Sequence, residues 1–141
     1  MPVVFHEVEM VVLKKRKRLK SFIKEIFINE GKTLDSLDVI FCSDKYLLDI
    51  NQQFLNHDFY TDIITFDLSE SNSNSIIAEL YISIERVKEN AISLKTNFVI
   101  ELHRVIFHGT LHLCGYKDKV QNEILTMRKK EDEYINLYFN P

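Results

Sequence analysis

The chain has 141 residues, enough for one domain around one hydrophobic core and too few for several. Hydrophobic residues make up 45% and charged residues 28%, with few Gly and Pro, which excludes a disordered or loop-rich chain and predicts long regular elements. The formal net charge of −3 excludes binding to nucleic acid through overall charge, so a local basic face or a bound metal would have to carry it.

Near the start, Glu7 and Glu9 interrupt the apolar residues and a basic run follows them, the reverse of a secretory signal. No stretch approaches the roughly 18 uninterrupted apolar residues of a membrane span. A cytoplasmic protein with no membrane partner is expected. Residues 3–9 alternate weakly and predict an edge strand. Over residues 14–29, Leu19, Phe22, Ile23, Ile26 and Phe27 recur at helical spacing, and Glu30-Gly31 ends that helix. Residues 36–42 are β-branched and aromatic and predict a strand. Ser43 or Asp44 can cap a short helix running to about residues 51–54. Two further strands, 61–68 and 75–83, flank the polar loop SESNSNS and predict an antiparallel hairpin. Helices are expected at 84–96, 99–114 and 120–139. The fold class is α+β: a single domain over 1–141, with a mixed sheet of about four strands packed against helices. Cys42 and Cys114 lie far apart in apolar surroundings and predict two buried thiols in a reducing compartment.

The informative segment is FHGTLHLCGYKDK, residues 107–119. His108 and His112 are four apart on a predicted helix, so both imidazoles leave one face, near the C-terminal end of a central helix. Gly115 can take positive φ and reverse the chain, which lets Asp118 return to the open side of the two rings. Two His and one carboxylate suit zinc, one ion per chain, and leave a fourth tetrahedral position open, as catalytic sites do. In the familiar His-Glu-x-x-His of metallopeptidases the Glu is the general base; position 109 here is Gly, which counts against peptide hydrolysis.

The string HGTLHLCGYKD resembles the signature His-Gly-x-Leu-His-Leu-x-Gly-Tyr-Asp-His of the YbeY family of bacterial endoribonucleases. His108, Gly109, Leu111, His112, Leu113, Gly115 and Tyr116 match in register. Upstream, residues 61–66, TDIITF, are similar to the family's Thr-Asp-Val-Leu-Ser-Phe strand, and residues 78–83, AELYIS, to its Gly-Asp-Ile-x-Ile-Ser strand. The resemblance spans most of the chain. The family's third His falls on Asp118, the Asp before it on Lys117, and an Arg thought to help catalysis on Leu55. The resemblance implies a zinc-dependent, single-strand-specific endoribonuclease. It would mature ribosomal RNA at the 3′ end of the small-subunit precursor and act in ribosome quality control, with ribosomal RNA and small-subunit proteins as partners. An alternative is a metal-stabilised ribosome-assembly factor with little nuclease activity. A metal-dependent hydrolase of another ester or amide is disfavoured by Gly109.

Other residues are weighed beside these. Arg104 precedes His108 by one turn, so a cation sits on the metal-bearing face, where it could grip a phosphate; a salt bridge with Glu101 or another acid is the plainer reading. Lys117 is the second choice for that cation. Lys14, Lys15, Arg16, Lys17 and Arg18 form the strongest basic run and are candidate RNA contacts, or the solvated start of a helix. Cys114 points roughly 200° from His112 on an ideal helix and is expected to pack, not ligate. Glu79 could orient a ligand. His6, His57 and His103 have no partner pattern.

Overall fold

The computed structural model describes residues 2–57 and 59–141. In chain order the elements are β1 (Val3–Glu7), α1 (Arg16–Asn29), β2 (Thr33–Cys42), α2 (Asp44–Leu55), β3 (Ile63–Asp67), β4 (Ser75–Ser83), α3 (Ile84–Ser93), α4 (Phe98–Leu113) and α5 (Gln121–Phe139). The sheet has order β1-β2-β4-β3. β1 and β4 both run parallel to β2, and β3 pairs antiparallel with β4. The sheet is therefore mixed, β1 is an edge strand, and the hairpin around the polar loop forms as expected.

Alternation along the strands sorts the two faces. Val39 and Phe41 of β2, Ala78, Leu80 and Ile82 of β4 and Ile63 of β3 turn toward α1 and α4 in the main core. The other face carries Cys42, Ile64, Phe66 and Tyr81, covered by Leu47 and Ile50 of α2. α3 and α5 pack on α4, which thus runs through the middle of the molecule. Its buried residues occupy most of its circumference.

Boundaries shift by a few residues from the sequence-based expectation. β2 begins at Thr33, three residues early, because its first residues pair with the start of β4. α1 begins at Arg16 because Lys15 is left-handed at φ 55. α3 stops at Ser93: Lys95 is also left-handed, and Asn97 then caps α4 by accepting from the Ile100 N–H at 2.8 Å.

Candidate metal centre

Helix α4 comes so close to the sheet that a Cβ at position 109 would lie 2.7 Å from Ile63 Cδ1 and 2.9 Å from Leu80 Cδ2. Gly109 is what permits that approach. With position 109 pressed on the sheet, positions 108 and 112 lie about 100° and 60° round the helix on its flank, toward α5 and the loop after α4. The two imidazole rings lie 4.6 Å apart, nearly perpendicular.

A Schellman turn ends the helix. Gly115, at φ +106, donates its N–H to the His112 carbonyl at 3.0 Å, and the Tyr116 N–H reaches the Leu111 carbonyl at 3.1 Å. The turn brings the Tyr116 carbonyl back over His112, whose Nδ1–H donates to it at 2.9 Å. A carbonyl only accepts, so the proton of His112 sits on Nδ1 and its Nε2 lone pair is free. His108 is fixed in the same manner by a different partner: its Nδ1 donates to Glu131 Oε2 of α5 at 2.5 Å. Both Nε2 atoms converge on Asp118 Oδ2, at 3.2 Å from His108 and 3.3 Å from His112.

These two distances have the dimensions of a ligand set. Ligands about 2.0–2.1 Å from a tetrahedral zinc are about 3.3 Å from one another. The ligand atoms of His108, His112 and Asp118 all lie within 4.8 Å of each other, and the three residues are half-buried. Among the described residues this is the one His, Cys, Asp and Glu group so arranged. The cluster could hold a metal ion, and outer acceptors on both imidazoles are the usual companions of one.

The cluster opens on a cleft of about 400 Å³ lined by Asp62, Glu101, Arg104, His108, Asp118 and Glu131, among others. Burial pushes the carboxyl of Asp62 above its usual range, though the His108 charge pulls it down. Burial also raises Glu101, against the nearby charges of Arg104 and Arg128. For His108, burial opposes protonation, but the hydrogen bond and charge of Glu131, with Asp118 and Asp62 behind, outweigh it and raise the imidazole above its ordinary value.

The match to known proteins decides what this arrangement belongs to. The family described as Endoribonuclease YbeY matches residues 6–138. The chain belongs to the YbeY family. An Endoribonuclease YbeY of Flavobacterium psychrophilum is 49% identical over 118 residues, 84% of this chain and 83% of the relative. One of Cytophaga hutchinsonii is 46% identical over 133 residues, covering 94% and 92%. The solution structure of TM1509 from Thermotoga maritima matches with a TM-score of 0.63 at 30% identity, covering 96% of this chain and 89% of that one. Fold and family thus agree with the YbeY resemblance of the sequence.

Other residues singled out in the sequence fall in different places. Arg104 lines the cleft, but its guanidinium donates to Asp132 at 2.7 Å and to Glu131 at 3.3 Å, so its partners are acids of α5 and not Glu101. Lys117 lies beyond the cleft, in a shallow groove with Gly115 and Tyr116. Lys14, Lys15 and Arg18 of the basic run line a groove with Val99 and His103, toward the N-terminal end of α4, where Val99 is about 14 Å along the helix from His108 at 1.5 Å per residue. Within it Arg16 pairs with Glu7 at 2.7 Å, and Arg18 donates to the Tyr138 carbonyl and stacks on its ring, which leaves Lys14, Lys15 and Lys17 for other contacts. Glu79 lines a groove on the far face of the sheet and accepts from the Tyr81 hydroxyl at 3.3 Å. The Cys114 thiol packs against the core, and burial pushes its pKa up to about 12, where it is a poor ligand. Leu55 ends α2 and is absent from the cleft lining. His103 is buried and bonded to the Val99 carbonyl, and His6 pairs with Asp38.

Two residues escaped the sequence reading. Glu131 was hidden in α5, although its signal was there: a carboxylate within the buried stripe Met127, Glu131, Tyr134, Tyr138. Asp62 was read only as part of a strand. It precedes β3, accepts from Asn90 Nδ2 at 3.2 Å, and faces the cleft.

Proposed function

We propose that this YbeY protein is a zinc-dependent endoribonuclease, specific for single strands, that acts in the cytoplasm. Its substrate would be the small-subunit ribosomal RNA precursor, cut toward its 3′ end in the course of ribosome maturation and quality control. The observation that carries the reading is the convergence of two Nε2 atoms and one carboxylate oxygen at tetrahedral spacing, in a chain whose relatives are named endoribonucleases. His108, His112 and Asp118 would hold the ion. When bound, zinc would supply Lewis-acid polarisation of a phosphate and acidify a water at neutral pH.

The chain's own groups set the conditions for that chemistry. Glu131 and the Tyr116 carbonyl keep both imidazoles in the tautomer that presents Nε2. Four acids line or reach the cleft, Asp62, Glu101, Asp118 and Glu131, against Arg104 and Arg128. A polyanion entering that cleft requires a cation there first, which favours a metal-loaded enzyme. Arg104 meets the phosphate charge in this reading: its exposed partner Asp132 exchanges for a phosphate oxygen while buried Glu131 keeps the guanidinium in place. Lys14, Lys15 and Lys17 contact phosphates farther along the strand.

One feature favours a second reading, an assembly factor with little nuclease activity. Leu55 is apolar, and Arg104 is already engaged by two carboxylates. Incubating the protein with purified small-subunit precursor RNA separates the two. The enzyme reading predicts cleavage of single-stranded regions that stops with a chelator and in His112→Ala. Tight binding of the precursor without cleavage, by a metal-loaded protein, would leave the second.

A further inference from the structure

The segment between α2 and β3 leaves aromatic rings in solvent beside the cleft. Phe59 and Tyr60 are 55% and 53% exposed. Neither is loosely held. The buried amide of Asn51 donates to the Phe59 carbonyl at 2.9 Å and pins the backbone. The His57 ring stacks on Phe59 at 5.2 Å with planes 22° apart. The Arg86 guanidinium stands 5.2 Å from the Tyr60 ring centroid and is itself gripped by Asp44 through two N–H groups, at 2.7 and 3.3 Å.

Helix α3 connects these rings to the candidate metal centre. Arg86 supports Tyr60, and Asn90, one turn later, holds Asp62. Asn90, Asp62 and His108 line the same cleft. One residue, Thr61, separates Tyr60 from Asp62, a span of at most about 7 Å. The backbone that carries the exposed rings therefore runs within two residues into the lining of the cleft where an RNA phosphate would enter.

We infer that Phe59 and Tyr60, backed by His57 and Arg86, form a stacking platform for an unpaired RNA base next to the phosphate that is cut. The proposal rests on the endoribonuclease reading and deepens it. Aromatic faces and guanidinium planes hold single-stranded RNA by stacking, without regard to base identity. Bases within a duplex have their faces already covered, so a ring at the cleft mouth selects unpaired substrate. Arg86 is paired with Asp44 and Glu89, so what it adds beside Tyr60 is a fixed guanidinium plane and not a net positive charge.

The test uses the metal-loaded full chain and a short unstructured RNA carrying a fluorescent adenine analogue. Native protein should quench the analogue on binding, as stacking does. Tyr60→Ala and Phe59→Ala should lose most of the quench and raise KM on the order of tenfold, with the loss on KM and not on kcat. Their preference for single-stranded over duplex RNA should shrink, while metal content stays at the native level. Tyr60→Phe should restore the quench and KM together, and native metal content in the Ala variants excludes a folding defect as the cause of their loss. If native protein cleaves RNA but never quenches the analogue, or if both Ala variants keep native KM and quench, the platform is wrong. If the native protein quenches and binds the RNA but does not cut it, the platform holds and the nuclease reading fails.

Discussion

His108 and His112 differ in what holds them from behind, and that difference can be measured. His112 leans on a backbone carbonyl that no substitution removes directly, whereas His108 leans on the Glu131 carboxylate. Replacing Glu131 by Gln keeps the shape but removes the charge and can reverse the hydrogen bond. Metal affinity should fall about tenfold to a hundredfold, the usual effect of losing an outer acceptor. Titration against a chelating indicator gives that number directly. At the third ligand, Asp118→His should retain a bound ion and Asp118→Ala should lose it; a fully loaded Asp118→Ala would show that the third ligand lies elsewhere. Position 109 invites a sharper substitution. A Glu there, as in metallopeptidases, would be driven into Ile63 and Leu80 with its charge buried. Gly109→Glu should cost about 3 kcal/mol or more in urea unfolding, through overpacking and an unpaired charge. The residue that lacks a catalytic base is thus a packing requirement of the helix that bears His108 and His112.

The turn that ends α4 joins fold and site at the scale of the element. Gly115 sits at φ +106, which an L side chain reaches only with strain, so Gly115→Ala should cost about 1–3 kcal/mol. It should also weaken metal binding, since the same turn carries the Tyr116 carbonyl and the approach of Asp118. Calorimetric unfolding with and without metal separates the two effects: the stabilisation by metal should shrink along with the intrinsic stability. Much of this was legible in the sequence. The shared face of His108 and His112 follows from 3.6 residues per turn, and Gly115 announced the reversal that returns Asp118. The hairpin of β3 and β4 was legible because its strands are neighbours in sequence. The order β1-β2-β4-β3 was not, because parallel pairing depends on crossings through α1 and α2 that no local pattern encodes. Glu131 and the partners of Arg104, Arg16 and Arg18 were hidden for a related reason: each contact joins two elements, and no single periodic segment encodes it. Local periodicity located His108 and His112 but not what orients them.

At the scale of the whole molecule, Glu30 ties three parts of the chain together. Its carboxylate accepts from the Tyr116 hydroxyl at 2.7 Å and the Tyr134 hydroxyl at 2.5 Å, joining the end of α1, the turn after α4 and helix α5. Burial works to raise its pKa, but these hydrogen bonds and the Lys130 charge outweigh burial and hold it below the ordinary 4.5. A carboxylate with a depressed pKa in the folded state stabilises fully above its unfolded value and loses that contribution as pH falls through the folded one. The stability gap between the native protein and Glu30→Gln should therefore be widest near neutral pH and narrow below about 4.5. Urea midpoints across that range would show it, and a gap that widens on acidification would contradict the assignment. The candidate metal centre rests on this same frame, since Tyr116 carries both the Glu30 contact and the carbonyl behind His112. In the function proposed above, one ion held by His108, His112 and Asp118 lets this YbeY protein cut RNA. Metal analysis of the purified protein, paired with an RNA cleavage assay on that same sample, tests it most directly. The account predicts about one zinc per chain, cleavage that disappears on chelation and returns with zinc, and neither metal nor cleavage in the His108→Ala, His112→Ala double variant. Full cleavage by a sample stripped of metal, or a full metal complement in that double variant, would contradict it.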